Sequence, residues 1–107
     1  MEGDALRGHL ELLLLAALAR AEQHGYALIE WLRAQSDGAL DLGEGSVYPA
    51  LRRLEARGLV TARWAPSDNN RRARYYELTP AGRKQLLAER AEWERFAHAL
   101  GLILDAD

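Results

Sequence analysis

Apolar residues in the first part of the chain recur with the spacing of one helix face. They stand three or four residues apart at Leu10, Leu13, Leu14, Ala17, Leu18 and Ala21. This period predicts an amphipathic first helix over about Arg7–Glu22. Gly25 breaks the pattern, and Leu28, Ile29 and Leu32 then predict a second helix over about Tyr26–Gln35. Residues 36–45, rich in Gly, Asp and Ser, predict a loop.

A third helix is predicted to begin at Ser46. The Ser46 hydroxyl can cap it by accepting a backbone N–H bond, and Pro49 then falls in the first turn, where its missing N–H costs nothing. Gly58 suits the left-handed position after the C-terminal end. The inward positions are Val47, Leu51 and Leu54. Their spacing leaves the opposite face of this helix to solvent or to a partner.

The pattern then changes from helical to alternating. The segments Leu59–Trp64 and Ala73–Thr79 are rich in β-branched and aromatic residues, which favour strands. Residues 66–70, Pro-Ser-Asp-Asn-Asn, predict a turn between them. Two strands alone are marginal in water, so we expect this hairpin to pack against the helices.

The last predicted helix is long. Thr79 can cap it and Pro80 begins it, giving a helix over Pro80–Leu104, about 25 residues or 37 Å. Its apolar residues form a seven-residue repeat that predicts a dimerisation seam of Leu86, Trp93, Phe96, Leu100 and Ile103. A twofold homodimer is the expected partner arrangement. Packing of this face within its own subunit is the alternative.

The order of elements predicts a mainly α fold with a small β-hairpin. We expect a winged helix-turn-helix domain over residues 1–79 and a C-terminal dimerisation helix over 80–107 that packs on helix 1. A chain of 107 residues holds one hydrophobic core. It has no cysteine, which excludes disulfides and fits a reducing cytoplasm. The longest apolar run, 12–19, is far shorter than the roughly 20 residues of a membrane span, so we expect a cytoplasmic protein without a membrane partner.

Charge is unevenly distributed along the chain. Residues 45–84 hold nine basic and three acidic side chains, a local charge of +6, although the net charge of the chain is −2. A basic segment in an acidic chain is typical of a surface that binds nucleic acid, because a phosphate backbone attracts a local patch. An ordinary solvated charged surface is the alternative.

Three motifs then stand in order along the chain. They are HGYAL at 24–28, GSVYPALRRLEARGLV at 45–60 and RRARYYELTPAGRKQL at 71–86. Together they resemble the PadR family of bacterial transcriptional regulators, and the resemblance covers nearly the whole chain. Ser46 and Val47 stand where the family more often has Thr and Leu, and Ala73 stands where a basic residue is frequent.

The resemblance implies that the third helix, the recognition helix, enters the major groove of duplex DNA and that the predicted hairpin, the wing, follows the adjacent backbone. The expected DNA-binding residues are Tyr26, Ser46, Tyr48, Pro49, Arg52, Arg53, Arg71, Arg72 and Arg74. Arg52 or Arg53 is suited to read a guanine edge, and the wing arginines are suited to hold phosphates. Tyr26 is a candidate phosphate contact near a helix N-terminus. Tyr48 is alternatively a residue of the core edge.

The resemblance also implies a repressor that is released from an inverted-repeat operator by a small aromatic or hydrophobic effector. Trp93 matches the interfacial tryptophan with which multidrug-responsive relatives stack on flat aromatic compounds. We expect the lining of such an effector site to consist of Trp93, Phe96, Leu10, Leu14 and Ala17. Packing of Trp93 without any ligand is the alternative, since a tryptophan in such a seam buries much area in either case.

Other functional classes find less support. No nucleophile with its base, phosphate loop or metal-ligand pair stands out, so we expect neither an enzyme nor a cofactor. A metal-responsive repressor would use His9, His24 and His98, which lie far apart in the sequence. A winged-helix module that binds protein would be expected to lack exposed arginines on its third helix, unlike the predicted Arg52 and Arg53.

Overall fold

The computed structural model describes residues 4–107, with side chains from His9 onward. Residues 1–3 of the expected 1–79 domain lie outside the described part. Seven elements follow, the six predicted ones in the expected order and a short strand β1 before the second helix: α1 Asp4–Leu18, β1 Gln23–His24, α2 Gly25–Gln35, α3 Glu44–Ala56, β2 Val60–Pro66, β3 Arg72–Leu78 and α4 Pro80–Leu104. The predicted architecture of helices followed by a hairpin and a long last helix is confirmed.

The core lies where the first three helices meet the base of the hairpin. Leu14, Leu15 and Ala17 of α1 are completely buried, and they pack with Leu28 of α2 and Leu51 of α3. Helix α1 ends at Leu18, four residues before the predicted end, so Ala21 lies beyond it and is exposed. Burial of each of the core leucines gives roughly 1.5–3 kcal/mol, and their packing fixes which face of α3 remains outside.

Helix α3 begins earlier than its sequence predicts. Its N-cap is Gly43, whose carbonyl accepts the N–H groups of both Ser46 and Val47 at 3.1 Å. The predicted capping role of Ser46 is therefore wrong, because Ser46 already lies within the first turn and its side chain is exposed. Pro49 consequently lies inside the helix, where its missing N–H deprives the carbonyl of Gly45 of its helical donor. Both residues are exposed, so water can supply the missing donor.

The C-terminal end of α3 agrees with the prediction. Gly58 has φ +75°, the left-handed conformation that glycine adopts without steric cost. Its N–H donates to Glu55, and the N–H of Leu59 donates back to Leu54 at 3.0 Å. These two bonds form a Schellman motif, which satisfies the last carbonyls of the helix and directs the chain into β2.

The hairpin belongs to a sheet with one more strand than predicted. β2 pairs antiparallel with β3 from Val60 opposite Leu78 to Pro66 opposite Arg72. β1 pairs with the other edge of β3, giving the order β1-β3-β2. A strand of two residues has no alternating pattern to detect in the sequence. It nevertheless matters, because it ties the start of α2 to the wing.

Helix α4 has the predicted bounds. The hydroxyl of Thr79 accepts the N–H of Gly82 at 3.0 Å and donates to the carbonyl of Gly58 at 2.7 Å. This cap fixes the direction in which α4 leaves the sheet. The helix packs on α1, and the molecule measures 58 Å along its longest axis. No helix in the described residues is long and apolar enough to cross a membrane.

Candidate nucleic-acid interface

Helix α3 buries one face in the core and exposes the opposite face to solvent. Val47, Ala50, Leu51 and Leu54 point into the core. The expected contact residues Ser46, Pro49, Arg52 and Arg53 are all exposed. The structure therefore presents four of the expected DNA-binding residues on the surface of one helix.

The two neighbouring arginines of α3 have different surroundings. Arg53 lies 3.9 Å from a carboxylate oxygen of Glu11 on α1, and Arg57 lies 3.3 Å from the other oxygen. Arg52 has no acidic partner among residues 9–107 and lies on the side of α3 that faces the wing. There, burial raises the pKa of Tyr76, while the charges of Arg74 and Arg52 act in the opposite direction. Arg52 is thus the freer of the two cations.

The arginines of the wing also differ in whether an acidic side chain pairs with them. Arg71 and Arg72 are exposed and have no acidic partner within the described side chains. Arg74 instead lies 2.7 Å from a carboxylate oxygen of Glu55 on α3, so it joins the wing to the recognition helix. Its Nε is buried and has no hydrogen-bond partner. The expected set of three phosphate-holding arginines therefore separates into two free cations and one paired cation.

A cleft of about 470 Å³ separates the wing from the N-terminal parts of α2 and α3. The imidazole of His24 caps α2 by accepting the N–H of Ala27 at 3.1 Å. This cap places Tyr26 at the cleft with 60% of its surface exposed. Tyr48 forms part of the opposite wall; it is half-buried, and burial raises its pKa.

Tyr48 belongs both to the cleft and to the edge of the core. Its ring lies so close to Gly25 that a Cβ on that glycine would overlap the ring. Gly25 therefore permits the N-terminus of α2 to approach α3. The approach brings together two motifs that the sequence separates, HGYAL at 24–28 and the start of the recognition helix.

Trp64 was not predicted as a site residue, yet it is 56% exposed on β2 and lines the same cleft. Its residue type indicated only a strand. Alternation along β2 contains the missing signal, since Val60, Ala62 and Trp64 share one face of the sheet. Val60 is in the core and Ala62 packs against it, whereas Trp64 extends past the core.

A second cavity, also of about 470 Å³, lies between α1 and α4. Its lining consists of His9, Leu12, Glu89, Glu92, Trp93 and Phe96. The His9 and Trp93 rings meet edge to face at 4.9 Å. Trp93 and Phe96, which lie 5.9 Å apart, are where the effector prediction placed aromatic side chains.

The remaining predicted lining residues are not at this cavity. Leu10, Leu14 and Ala17 are buried in the core, with Leu14 and Ala17 completely inaccessible. The prediction was wrong because it assigned to a ligand the apolar face of α1 that the core itself covers. The side of α1 at the cavity carries His9 and Leu12 instead.

The predicted seam of α4 is mostly exposed in the single chain. Trp93 is 42% exposed, Phe96 57% and Ile103 71%, and Leu100 is also exposed. Leu86 differs because it packs against the core of its own subunit. It lies near the start of α4, where the helix still covers the domain. All five residues remain predictions for a dimer seam.

The three histidines of the metal alternative are not grouped. His24 caps α2 and contacts the Tyr75 ring at 5.2 Å, whereas His9 contacts Trp93. Within the described part of the chain, no group of three or more His, Asp or Glu side chains could hold a metal ion. The placement of these histidines gives the metal hypothesis no further support.

Comparison with known proteins bears on the whole of this arrangement. The model of the PadR-like family of transcriptional regulators matches residues 14–88, which include α2, α3, the wing and the start of α4. The chain belongs to the PadR family. Transcriptional regulator Rv3488 of Mycobacterium tuberculosis is 36% identical over 91 residues, which are 85% of this chain and 81% of that protein.

A second relative is much longer. An uncharacterised 37.1 kDa protein in transposon TN4556 of Streptomyces fradiae is 41% identical over 90 residues, or 84% of this chain. The chain spans only 22% of the length of that protein. The likeness therefore concerns one part of the transposon protein.

Solved structures agree with the family. A PadR family transcriptional regulator from Eggerthella lenta has a TM-score of 0.80 at 31% identity, covering 96% of this chain and 88% of that one. A PadR-like regulator from Bacillus cereus has a TM-score of 0.85 at 26% identity, covering 98% and 100%. The predicted winged-helix fold and PadR resemblance are confirmed. The family is one of transcriptional regulators, and the chain has its winged-helix fold.

Proposed function

We propose that this PadR protein is an effector-released repressor that binds an inverted-repeat operator as a homodimer. The observation that carries the proposal is the exposed aromatic and aliphatic stripe on α4, composed of Trp93, Phe96, Leu100 and Ile103. Such a stripe on one face of a long helix is suited to pairing with a second copy, because burial of apolar area is the main driving force of association.

Twofold pairing along α4 would give the dimer two recognition helices. Dimeric helix-turn-helix proteins read half-sites about 34 Å apart, one turn of DNA, so the operator is expected to be an inverted repeat. The assignment to repression follows the resemblance to effector-released members of the family. A protein with this activity works in the compartment that holds the DNA, so we also propose a cytoplasmic location.

On the DNA, the free arginines have separate roles. Arg52 reads base edges from α3, since it has no acidic partner among the described side chains. Arg71 and Arg72 hold phosphates, and Arg53 contributes less because Glu11 already pairs with it. Ser46 and Pro49 lie on the outward face of α3, and Tyr26 lies at the mouth of the cleft. The exposed free arginines also argue against the alternative of a module that binds only protein.

The effector binds in the cavity between α1 and α4. Trp93 and Phe96 belong both to this cavity and to the seam, so a ligand there touches the surface on which the second subunit packs. A flat aromatic compound would stack on these rings. If the ligand favours one relative position of the two α4 helices, it changes the distance between the recognition helices and thereby the operator affinity.

The test is a titration of labelled DNA from the protein's own upstream region against a scrambled duplex of equal length, at physiological salt. We expect a strong preference for the native duplex, protection of an inverted repeat, and two subunits bound as measured by sedimentation. Equal, weak binding to both duplexes would contradict operator recognition at that site. A single bound subunit would contradict the dimer.

A further inference from the structure

The inner face of the wing continues beyond the core as an aromatic and cationic surface. Side chains alternate along paired strands, so Trp64 shares its face with Arg74, directly opposite it, and with Arg72. The same face ends in the core at Val60 and Tyr76. The fold thus extends the buried face of the sheet into the cleft, where Trp64 remains 56% exposed.

Two cations lie over this ring. The guanidinium carbons of Arg72 and Arg74 are 5.9 and 6.0 Å from the centre of the Trp64 ring, within the range of cation–π attraction. Trp64 thereby restricts both arginines to the inner face of the wing. An exposed indole beside fixed cations matches the chemistry of a sugar–phosphate strand, whose sugar C–H groups pack on aromatic rings while its phosphates pair with arginine.

Arg74 differs from Arg72 because it is also held from the other side. Its Nη2 lies 2.7 Å from Glu55, its ring neighbours are Trp64 and Tyr76, and its Nε is buried. A guanidinium in this position joins the recognition helix to the wing. Arg74 is therefore less available to a phosphate than Arg72, which has no acidic partner among residues 9–107.

We propose that Trp64 is a DNA-backbone contact of the wing, and that Glu55 and Arg74 form a strut that sets the distance between wing and recognition helix. Arg74 and Glu55 are positioning residues, whereas Trp64 and Arg72 touch the sugar–phosphate strand that enters the cleft. This inference rests on the proposed binding of duplex DNA. It changes the role expected for Arg74 from phosphate ligand to spacer, and it adds a contact that the sequence did not indicate.

The contact is tested with a duplex that the protein itself selects from a random-sequence pool, so that no operator need be known. We expect the tryptophan emission of the wild-type chain to change on addition of this duplex, and this change to be lost in Trp64→Phe. Trp64→Ala should weaken binding about tenfold, as for loss of one aromatic stacking contact, and Trp64→Phe much less, since phenylalanine keeps an aromatic face. Unchanged emission together with unchanged Trp64→Ala affinity would overturn the contact.

The strut is tested by two variants with opposite electrostatic expectations. Removing the negative charge of Glu55 near DNA should tighten binding if only net charge matters. If Glu55 positions the wing, Glu55→Gln should instead weaken binding, Arg74→Gln should weaken it by a similar factor, and the double variant should be no worse than either. Arg74→Lys, which keeps a cation for Glu55, should recover most of the affinity.

Salt dependence separates the strut from a direct phosphate ligand. A lost phosphate contact lowers the slope of log affinity against log salt by about one, so Arg72→Ala should show this change. We expect Arg74→Lys and Glu55→Gln to leave the slope at the wild-type value. Tighter binding by Glu55→Gln would overturn the strut. If the wild-type chain selected no duplex at all, the proposed function itself would fail, which is a separate outcome.

Discussion

The cleft beneath the wing and the cavity between α1 and α4 have the same volume, about 470 Å³, but opposite charge. The cleft is lined by three arginines and a single acid, Asp68. Among the side chains from His9 onward, the cavity is lined by Glu89 and Glu92 and by no Lys or Arg. Both contain aromatic rings, so neither size nor apolar character distinguishes them.

Charge therefore decides what each recess can bind. Free arginines beside Trp64 and Tyr26 attract a phosphate strand and repel cations. Carboxylates beside Trp93 and Phe96 repel DNA and favour a flat compound with positive charge, which the aromatic faces also attract. The cleft is basic and the cavity is acidic. Any coupling between the effector site and the DNA-binding surface must pass through the helices. Four experiments test this division, in order of decreasing expected effect.

The largest effect is expected from a charge placed on the seam. Phe96→Asp would require a carboxylate in an apolar interface, at a cost of several kcal/mol. Since every 1.4 kcal/mol is tenfold in affinity, we expect the dimer to dissociate and operator affinity to fall by about 100-fold or more. Analytical ultracentrifugation and DNA titration measure the two quantities on the same samples.

Leu87→Asp is the matched control for this change. Like Phe96, Leu87 is an exposed apolar residue of α4, yet it is not part of the seam. We expect this variant to remain dimeric and to bind DNA as the wild type does. A dimeric Phe96→Asp chain with full affinity would show that α4 pairs through another face, and the cavity would then lose its proposed link to the cleft.

The second effect concerns the neighbouring arginines of α3. Arg52→Ala should cost about 1–3 kcal/mol of operator binding and relax the base preference, as expected for loss of a base contact. Arg53→Ala should cost less, because Glu11 already holds Arg53 at 3.9 Å. Titrations against the selected duplex and single-base variants of it measure both. Equal losses, or a larger loss for Arg53→Ala, would reverse the assignment of the reading residue.

Much of the fold could be predicted because its signals are local. Thr79 and Pro80 mark the start of α4, and the helix bounds in the structure are the predicted ones. The start of α3 was missed because Gly43 and Gly45 flank Glu44, a composition typical of a loop. The structure instead closes the first turn on the carbonyl of Gly43, a backbone interaction that no side chain reveals.

The candidate site was predictable in residue type but not in pairing. The basic segment 45–84 includes the exposed arginines of α3 and of the wing. Its ion pairs join residues distant in sequence, such as Glu11 with Arg53 and Glu55 with Arg74, and no local pattern predicts them. The effector lining failed for a related reason. The helical period places Leu14 on the apolar face of α1. A core and a ligand site both require such a face, and in the structure the core covers it.

A third, smaller effect should separate the cavity from the cleft by charge. With Glu89 and Glu92 both replaced by Gln, we expect a flat cationic aromatic dye to bind several-fold more weakly, since each exposed ionic interaction contributes at most about 1 kcal/mol. An uncharged dye of the same shape should bind equally to both proteins. Quenching of Trp93 reports the binding, because this ring lines the cavity.

Glu94→Gln is the control for the carboxylate effect. Glu94 also lies on α4 but pairs with Arg90 at 2.9 Å and is not part of the cavity lining. We expect this variant to bind the cationic dye as the wild type does. If Glu94→Gln weakened dye binding as much as the double replacement of Glu89 and Glu92, the general charge of α4 would be the cause. The contrast in charge between the cleft and the cavity would then be weaker than proposed.

The smallest effect, on stability, is expected from the outer face of the wing. There Arg63 donates two hydrogen bonds to the Glu22 carboxylate, with N–O distances of 2.6 and 2.7 Å. The hydrogen bond from Arg63 lowers the pKa of Glu22 below its ordinary value of 4.5. A carboxyl with a lowered folded-state pKa stabilises the fold above 4.5, and this contribution is lost as pH falls through the folded-state value. Glu22→Gln should therefore lower the Tm slightly at neutral pH, and the difference should vanish in acid. Because this pair lies on the face of the hairpin opposite Trp64, DNA affinity should not fall; a large loss would mean that the outer face, and not the cleft, sets the position of the wing.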